Sequence, residues 1–273
     1  MSKCFRTPQT ISNVWRPPSA LPIIGNPLLI GGVLWYPVHS VYQTYPTLWM
    51  RIIKPSALNT ATQRFLYLLP VEANNDALFG DPIAEALALD IANTYNMIVV
   101  NPAFSILPWY GDNPAQATVR QEGYLLNDII SGVEALYPGH NTRLLCGFSK
   151  SGVGALSLIL RNQASFAAAA IWDAPVNDAI YNVRPGMAEV FNTQANYDGY
   201  AIPTILPTYA ASFTVLNRIY LAGYKNYQAD LLVCHNSMTA LGMLHTWVDV
   251  MRTSHLWSSG WLPGAVTFLN GFS

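Results

Sequence analysis

The stretch "GFSKSGVGALSLIL", from Gly147 to Leu160, contains the residue best placed for nucleophilic chemistry. The preceding run "RLLCGF" is apolar and strand-like. The following run "GVGALSLILRN" carries apolar residues at helical spacing. Ser149 stands at the bend between them, with Gly147 two residues before it and Ser151 then Gly152 after it. A strand that turns sharply into a helix needs small residues at those offsets, because side chains there collide with the neighbouring elements. Such a turn exposes one hydroxyl and points the N–H groups of the helix start at an anion. The plainer alternative is a Ser that caps a helix.

A serine hydroxyl is a weak nucleophile until a base accepts its proton and an acid orients that base. On a strand–serine–helix bend the partners follow in the order Ser, Asp or Glu, His. His39 and His140 precede Ser149 and are excluded by that order. His235 falls within a helical run and His245 at the start of a strand, which suits packing or surface roles. His255, in "MRTSHLWSSGW", follows the last strand and is the expected base. Two carboxylates compete for the acid. Asp230 follows "RIYLAGY" and is preferred on chain order, with Asp173 at the end of "FAAAAIWD" as the alternative. Asp249 is weaker, since it lies inside a strand. The N–H of Lys150, with that of Val71 or Glu72 after the strand "QRFLYLLPV", would form the oxyanion hole. Trp109 and Tyr110 in "FSILPWYGDN", and Trp257 two residues after His255, are expected to face substrate.

These residues must be carried by a suitable framework. From Thr60 onward, apolar runs alternate with amphipathic ones. Strands are expected at Gln63–Val71, Met97–Phe104, Arg143–Phe148, Phe166–Asp173, Arg218–Tyr224 and Leu244–Val250. Helices are expected at Asp81–Tyr95, Gln121–Pro138, Gly152–Asn162 and Ala229–Gly242, with another at the C-terminus. Regular alternation implies a mostly parallel sheet with helices on both faces. Residues 1–60 read as edge strands and loops, with "GGVLWYPV" and "TLWMRII" as antiparallel candidates. The connection over residues 174–217 is too long for a plain loop. It is rich in Tyr, Tyr197 and Tyr200 among them, and reads as a cap over a pocket. The whole chain, 1–273, reads as one domain.

Composition narrows the function further. The 273 residues are 51% hydrophobic and only 11% charged, with a formal net charge of −1. No basic stripe supports nucleic-acid binding. Cys4, Cys146 and Cys234 show neither disulfide nor metal spacing, so no metal or other cofactor is expected. The N-terminus has no leader-like apolar run, which makes the cytoplasm the default location. Ala20–Val38 is uncharged but broken by three prolines, so no membrane span is expected.

The elbow "GFSKSGVGAL" resembles that of the esterase D and S-formylglutathione hydrolase group of α/β-hydrolases. "SHLWSSGWLPGAV" is similar to the His-x-Trp segment of feruloyl-esterase-like members. "LPWYGDNP" with the following helix resembles their Trp-Tyr-x-Asp segment. The resemblance runs from about Arg64 to the C-terminus, and Ser151 departs from the usual Gly. It implies an α/β-hydrolase fold and hydrolysis of small-molecule or polymer-derived carboxylic esters through Ser149, with His255 as base. An acyltransferase or amidase using the same residues, and a non-catalytic binding protein on the same fold, are the alternatives.

Overall fold

A computed structural model describes residues 23–223, 226–249 and 254–272. The N-terminal stretch assessed for a leader, Cys4, the first residues of the run from Ala20 and the tripeptide 251–253 lie outside the described residues.

Alternating strand and helix build one twisted sheet whose order is β1-β2-β3-β5-β4-β6-β7-β8-β9. The edge is a hairpin of β1 (Leu28–Ile30) and β2 (Val33–Val38), turned at Gly31 and Gly32, followed by β3 (Leu48–Ile53). These three run antiparallel; the sequence marks the segments that hold β2 and β3 as antiparallel candidates, but not β1. The rest is parallel: β4 (Arg64–Leu68), β5 (Met97–Asn101), β6 (Thr142–Phe148), β7 (Ala168–Trp172), β8 (Ile219–Ala222) and β9 (Thr246–Val248).

Both faces of the central strands are buried, which is why they read as continuous apolar runs. In β4, Phe65 and Tyr67 point to one core and Leu66 and Leu68 to the other. One face is covered by α1 (Pro82–Ala88), α2 (Ile91–Tyr95) and the C-terminal helix through Leu262, Ala265, Val266 and Leu269. The expected single helix from Asp81 to Tyr95 is broken at Asp90, whose φ is +47°. Asp81 caps its start, accepting from the Ile83 N–H at 2.9 Å.

The other face carries α3 (Gln121–Gly123), which runs through a π-helical stretch at Tyr124–Ile130 into α4 (Ser131–Leu136). Beside it lie α5 (Lys150–Arg161) and the segment after β7, with α6 (Met187–Phe191), α7 (Gln194–Tyr197) and α8 (Ile202–Tyr209). Then come α9 (Gln228–Ala240) and, at the chain's end on the first face, α10 (Leu262–Leu269). Residues 151–160 of α5 are all buried. The alanines of β7 admit α5 closely on one side, and α8 covers its other side.

Chain order reverses at β4, with β5 on one side and β6 on the other. The crevice beyond the carboxyl ends of β4 and β6 is therefore where ligands bind in open α/β sheets. No helix among the described residues is long and apolar enough to cross a membrane.

Candidate active site

Ser149 follows the last residue of β6 and precedes the first of α5. Its backbone sits at φ +54°, ψ −133°, a conformation that costs a non-glycine residue roughly 1–3 kcal/mol. Its side chain makes no capping hydrogen bond, so the helix-cap alternative fails. Close packing holds the bend. A Cβ on Gly147 would lie 2.4 Å from the Ser151 carbonyl oxygen, and one on Gly152 would lie 2.7 Å from Ala174 Cβ. Ser151, the departure from the usual Gly, has a structural reason. Its buried Oγ donates to the Phe148 carbonyl at 2.9 Å and accepts from the Phe148 N–H at 3.1 Å, stitching the turn shut.

The loop before α10 brings His255 to Asp173. His255 Nδ1 lies 2.6 Å from Asp173 Oδ2, and Asp173 is fully buried. The other carboxylate oxygen accepts the Tyr227 N–H at 2.8 Å. A carboxylate can only accept, so Nδ1 donates and Nε2 keeps its lone pair. The ring is boxed by Phe148, Phe79, Tyr227 and Trp172, with centroids 5.0, 5.6, 5.8 and 6.0 Å away. Four walls fix the imidazole plane.

Asp230, preferred on chain order, is not the residue that holds His255. It lies in the first turn of α9, where it interacts with the Arg184–Asp178 ion pair. Burial, and secondarily the Asp178 charge, raise its pKa. The physical reason is sheet adjacency: β7 is hydrogen-bonded to β6, with Trp172 opposite Phe148, so Asp173 emerges one strand away from Ser149. Asp249 instead accepts a hydrogen bond from Gln228.

The loop after β4 lies beside the elbow, because β4 pairs with β6. Among the described residues, the N–H groups of Val71, Glu72 and Lys150 donate to no other residue. They remain available to an anion.

The aromatic residues expected to face substrate do not. Trp109, Tyr110 and Trp257 are only 3%, 1% and 1% exposed. Each has a packing task instead. Trp109 Nε1 donates to the Pro185 carbonyl at 2.9 Å, anchoring the segment after β7. Tyr110 donates its hydroxyl to the Pro70 carbonyl at 2.6 Å, and its ring lies over Gly154 of α5. Trp257 packs on Phe148 and Trp261, at 5.0 and 5.3 Å. The tyrosines of the 174–217 segment also point inward. Tyr197 donates to the Asp178 carbonyl, while Tyr200 accepts the Asp112 N–H and lies under the Arg161 guanidinium at 3.9 Å.

Tyr227 and Phe79 complete the His255 box, and no pattern in the sequence marked them. Among the described residues no group of three or more His, Cys, Asp or Glu gathers to hold a metal. A cleft of about 590 Å³ lies at the amino ends of β6–β8, lined by Thr142, Arg143, Ala167 and Arg218, away from Ser149.

No family model matches the chain, and no curated protein matches it in sequence. Solved structures do match. An S-formylglutathione hydrolase from Agrobacterium tumefaciens is 12% identical and superposes with a TM-score of 0.69, over 91% of this chain and 98% of that one. FphF, a fluorophosphonate-binding serine hydrolase of Staphylococcus aureus, is 12% identical, with a TM-score of 0.68 over 90% and 99%. A ferulic acid esterase is 16% identical, with a TM-score of 0.62 over 88% and 96%. With a serine elbow at the carboxyl end of its sheet and these relatives in shape, the chain has the α/β-hydrolase fold.

Proposed function

We propose that the protein is a serine hydrolase of carboxylic esters, with Ser149 as nucleophile, His255 as general base and Asp173 as the orienting acid. The observation that carries the reading is the 2.6 Å contact between His255 Nδ1 and the fully buried Asp173 carboxylate. It selects the tautomer whose Nε2 can take a proton. The strained backbone of Ser149 adds support, since its side chain makes no capping hydrogen bond that would account for the strain. The non-catalytic alternative leaves that strain unexplained. The names of the similar structures, an S-formylglutathione hydrolase, a serine hydrolase and a ferulic acid esterase, point the same way.

The steps follow from the groups present. His255 Nε2 takes the Ser149 proton as Oγ attacks the ester carbonyl carbon. The tetrahedral oxyanion accepts from the N–H of Lys150 and from that of Val71 or Glu72, each such donor being worth about 2.7–4 kcal/mol. The imidazolium returns the proton to the departing alkoxide, which leaves an acyl-enzyme. Water, activated by the same nitrogen, releases the acid and restores the serine. The buried Asp173 carboxylate stabilises the imidazolium in both halves.

The test is covalent labelling with a fluorophosphonate probe, followed by mapping of the modified residue. The label is expected on Ser149, and Ser149→Ala is expected to abolish both labelling and hydrolysis of p-nitrophenyl acetate while the circular dichroism spectrum is unchanged. Full turnover in a folded Ser149→Ala protein would refute the reading.

A further inference from the structure

An ion pair beside Ser149 takes no part in those steps. Lys150 Nζ lies 2.7 Å from Glu72 Oε1, with the two side chains only 17% and 13% exposed. These are two of the residues whose backbone N–H groups were assigned to the oxyanion hole. The same residues that present the donors thus join the two segments carrying them.

Other hydrogen bonds fasten the loop after β4 on either side of Val71 and Glu72. Leu69 N–H donates to the Cys146 carbonyl at 2.9 Å, Pro70 accepts from Tyr110, and Asn74 N–H donates to the Phe104 carbonyl at 2.9 Å. Among the described residues, the Lys150–Glu72 bond is the one polar side-chain link from Val71 and Glu72 to α5. Exposed ion pairs contribute little, because water screens them and their side chains move. This pair is largely sheltered, so each charge depends on the other and loss of one partner leaves the other uncompensated.

Two consequences meet at the oxyanion. The bond ties together the two segments that carry the donors. The local charge is also balanced: Lys150 cancels a carboxylate that would otherwise repel a developing negative charge. We propose that the Lys150–Glu72 pair is a positioning clamp for the oxyanion hole, setting the separation of its donors and keeping it free of net negative charge. The proposal rests on the serine-hydrolase reading.

A tie with only a structural role would be damaged equally from either end. The clamp predicts asymmetry, because Lys150→Gln leaves a bare carboxylate near the oxyanion whereas Glu72→Gln leaves a cation. Steady-state kinetics on a p-nitrophenyl ester, with thermal midpoints as the folding control, separate the two. Lys150→Gln is expected to lower kcat about 100-fold with KM nearly unchanged, at the lower end of the loss for a missing oxyanion donor. Glu72→Gln is expected to lower it only about tenfold, and the double variant to recover several-fold over Lys150→Gln, as coupled neighbours do. Equal losses from the two ends, or an undiminished kcat in folded Lys150→Gln, would overturn the clamp. If Lys150→Gln does not fold, Glu72→Gln decides: a kcat loss at constant KM supports the clamp, and an unchanged kcat overturns it. Ser149→Ala in the same series separates the levels. Activity surviving there removes the serine-hydrolase reading itself, whereas an inactive Ser149→Ala beside a fully active Lys150→Gln removes only the clamp.

Discussion

Asp173→Asn changes one atom type in the buried carboxylate and tests its role directly. In the native arrangement both oxygens accept, one from His255 Nδ1 at 2.6 Å and the other from the Tyr227 N–H at 2.8 Å. An amide has one oxygen and one NH2. If the oxygen stays on Tyr227, the NH2 faces Nδ1, which must then accept. The proton moves to Nε2, and the nitrogen that should deprotonate Ser149 becomes a donor. If the amide turns over, its NH2 meets the Tyr227 N–H and one buried donor goes unmet. The first orientation satisfies both contacts and should dominate. The same tautomer error in a well-studied protease lowers kcat about 10⁴-fold, which is ~5.4 kcal/mol of transition-state stabilisation. A loss of that order is expected here in kcat for p-nitrophenyl acetate and in the rate of fluorophosphonate labelling. Folding should survive, since asparagine keeps the volume and both contacts, at a cost of about 1–3 kcal/mol for the one amide N–H left unmet. Asp230→Asn is the control, expected to stay within about threefold of the parent because that residue meets the Arg184–Asp178 pair rather than His255. A folded Asp173→Asn protein within tenfold of parental activity, or a collapse in Asp230→Asn instead, would refute the argument from geometry.

Gly154→Ala places a methyl carbon 2.1 Å from the Tyr110 ring, so this overpacking is expected to cost about 1–3 kcal/mol in denaturant unfolding; an unchanged midpoint would show that the ring yields freely. Ser151→Ala removes a buried hydroxyl that serves both the N–H and the carbonyl of Phe148, and should destabilise by about 1–3 kcal/mol and slow labelling of Ser149. The pKa of His235 is lowered by burial and then by His245, against an opposing pull from Asp249. A lowered folded-state value means the fold disfavours the charged ring, so the associated stability is complete above the unfolded value of about 6.5 and declines as pH falls below it. The thermal midpoint should therefore fall less steeply below that pH in His235→Gln than in the parent, and equal slopes would refute the assignment.

Much of the framework was legible because its signals were local and repeated. β4 through β8 are mostly buried apolar runs, the helices between them have the longer period, and the elbow joins the two in one short stretch. The partner of His255 was harder to read. Chain order ranks Asp230 well, but contact is decided by which strands are neighbours, and β7 beside β6 puts Asp173 next to the elbow. Nothing local in "KNYQADLL" says that Asp230 will face Arg184 rather than the sheet. The aromatic residues failed for a related reason. A Tyr or Trp near the end of a strand serves equally well as a wall or as a core block, and the sequence carries no sign of its direction. The expected helix from Asp81 to Tyr95 broke at Asp90 because two short helices can each turn an apolar face to the sheet: Ile83 and Ala86 in the first, Ile91 and Ala92 in the second.

Trp109 and Tyr110 show how buried aromatics can still serve the site. The pair sits where the elbow helix, the loop after β4 and the segment after β7 meet. Tyr110 holds φ +59° and is pinned at three points: its N–H on Gln121 Oε1, its ring on Gly154, and its hydroxyl on Pro70. Pro70 directly precedes Val71, so a wedge resting on α5 sets the height of one candidate oxyanion donor above the helix that carries the other. Trp109 uses the same glutamine oxygen through its own N–H and reaches across to Pro185. A single side chain, Gln121, thereby fixes two adjacent residues that brace different walls of the crevice. Alanine at Tyr110 would release the Pro70 carbonyl and loosen the loop at Val71, on the opposite side of Glu72 from the fastening at Asn74. The Lys150–Glu72 bond would then carry more of that segment, between the backbone bonds at Leu69 and Asn74. Loss of Tyr110 and loss of Lys150 should accordingly be worse together than the product of their separate effects on kcat, because each removes the support on which the other variant depends.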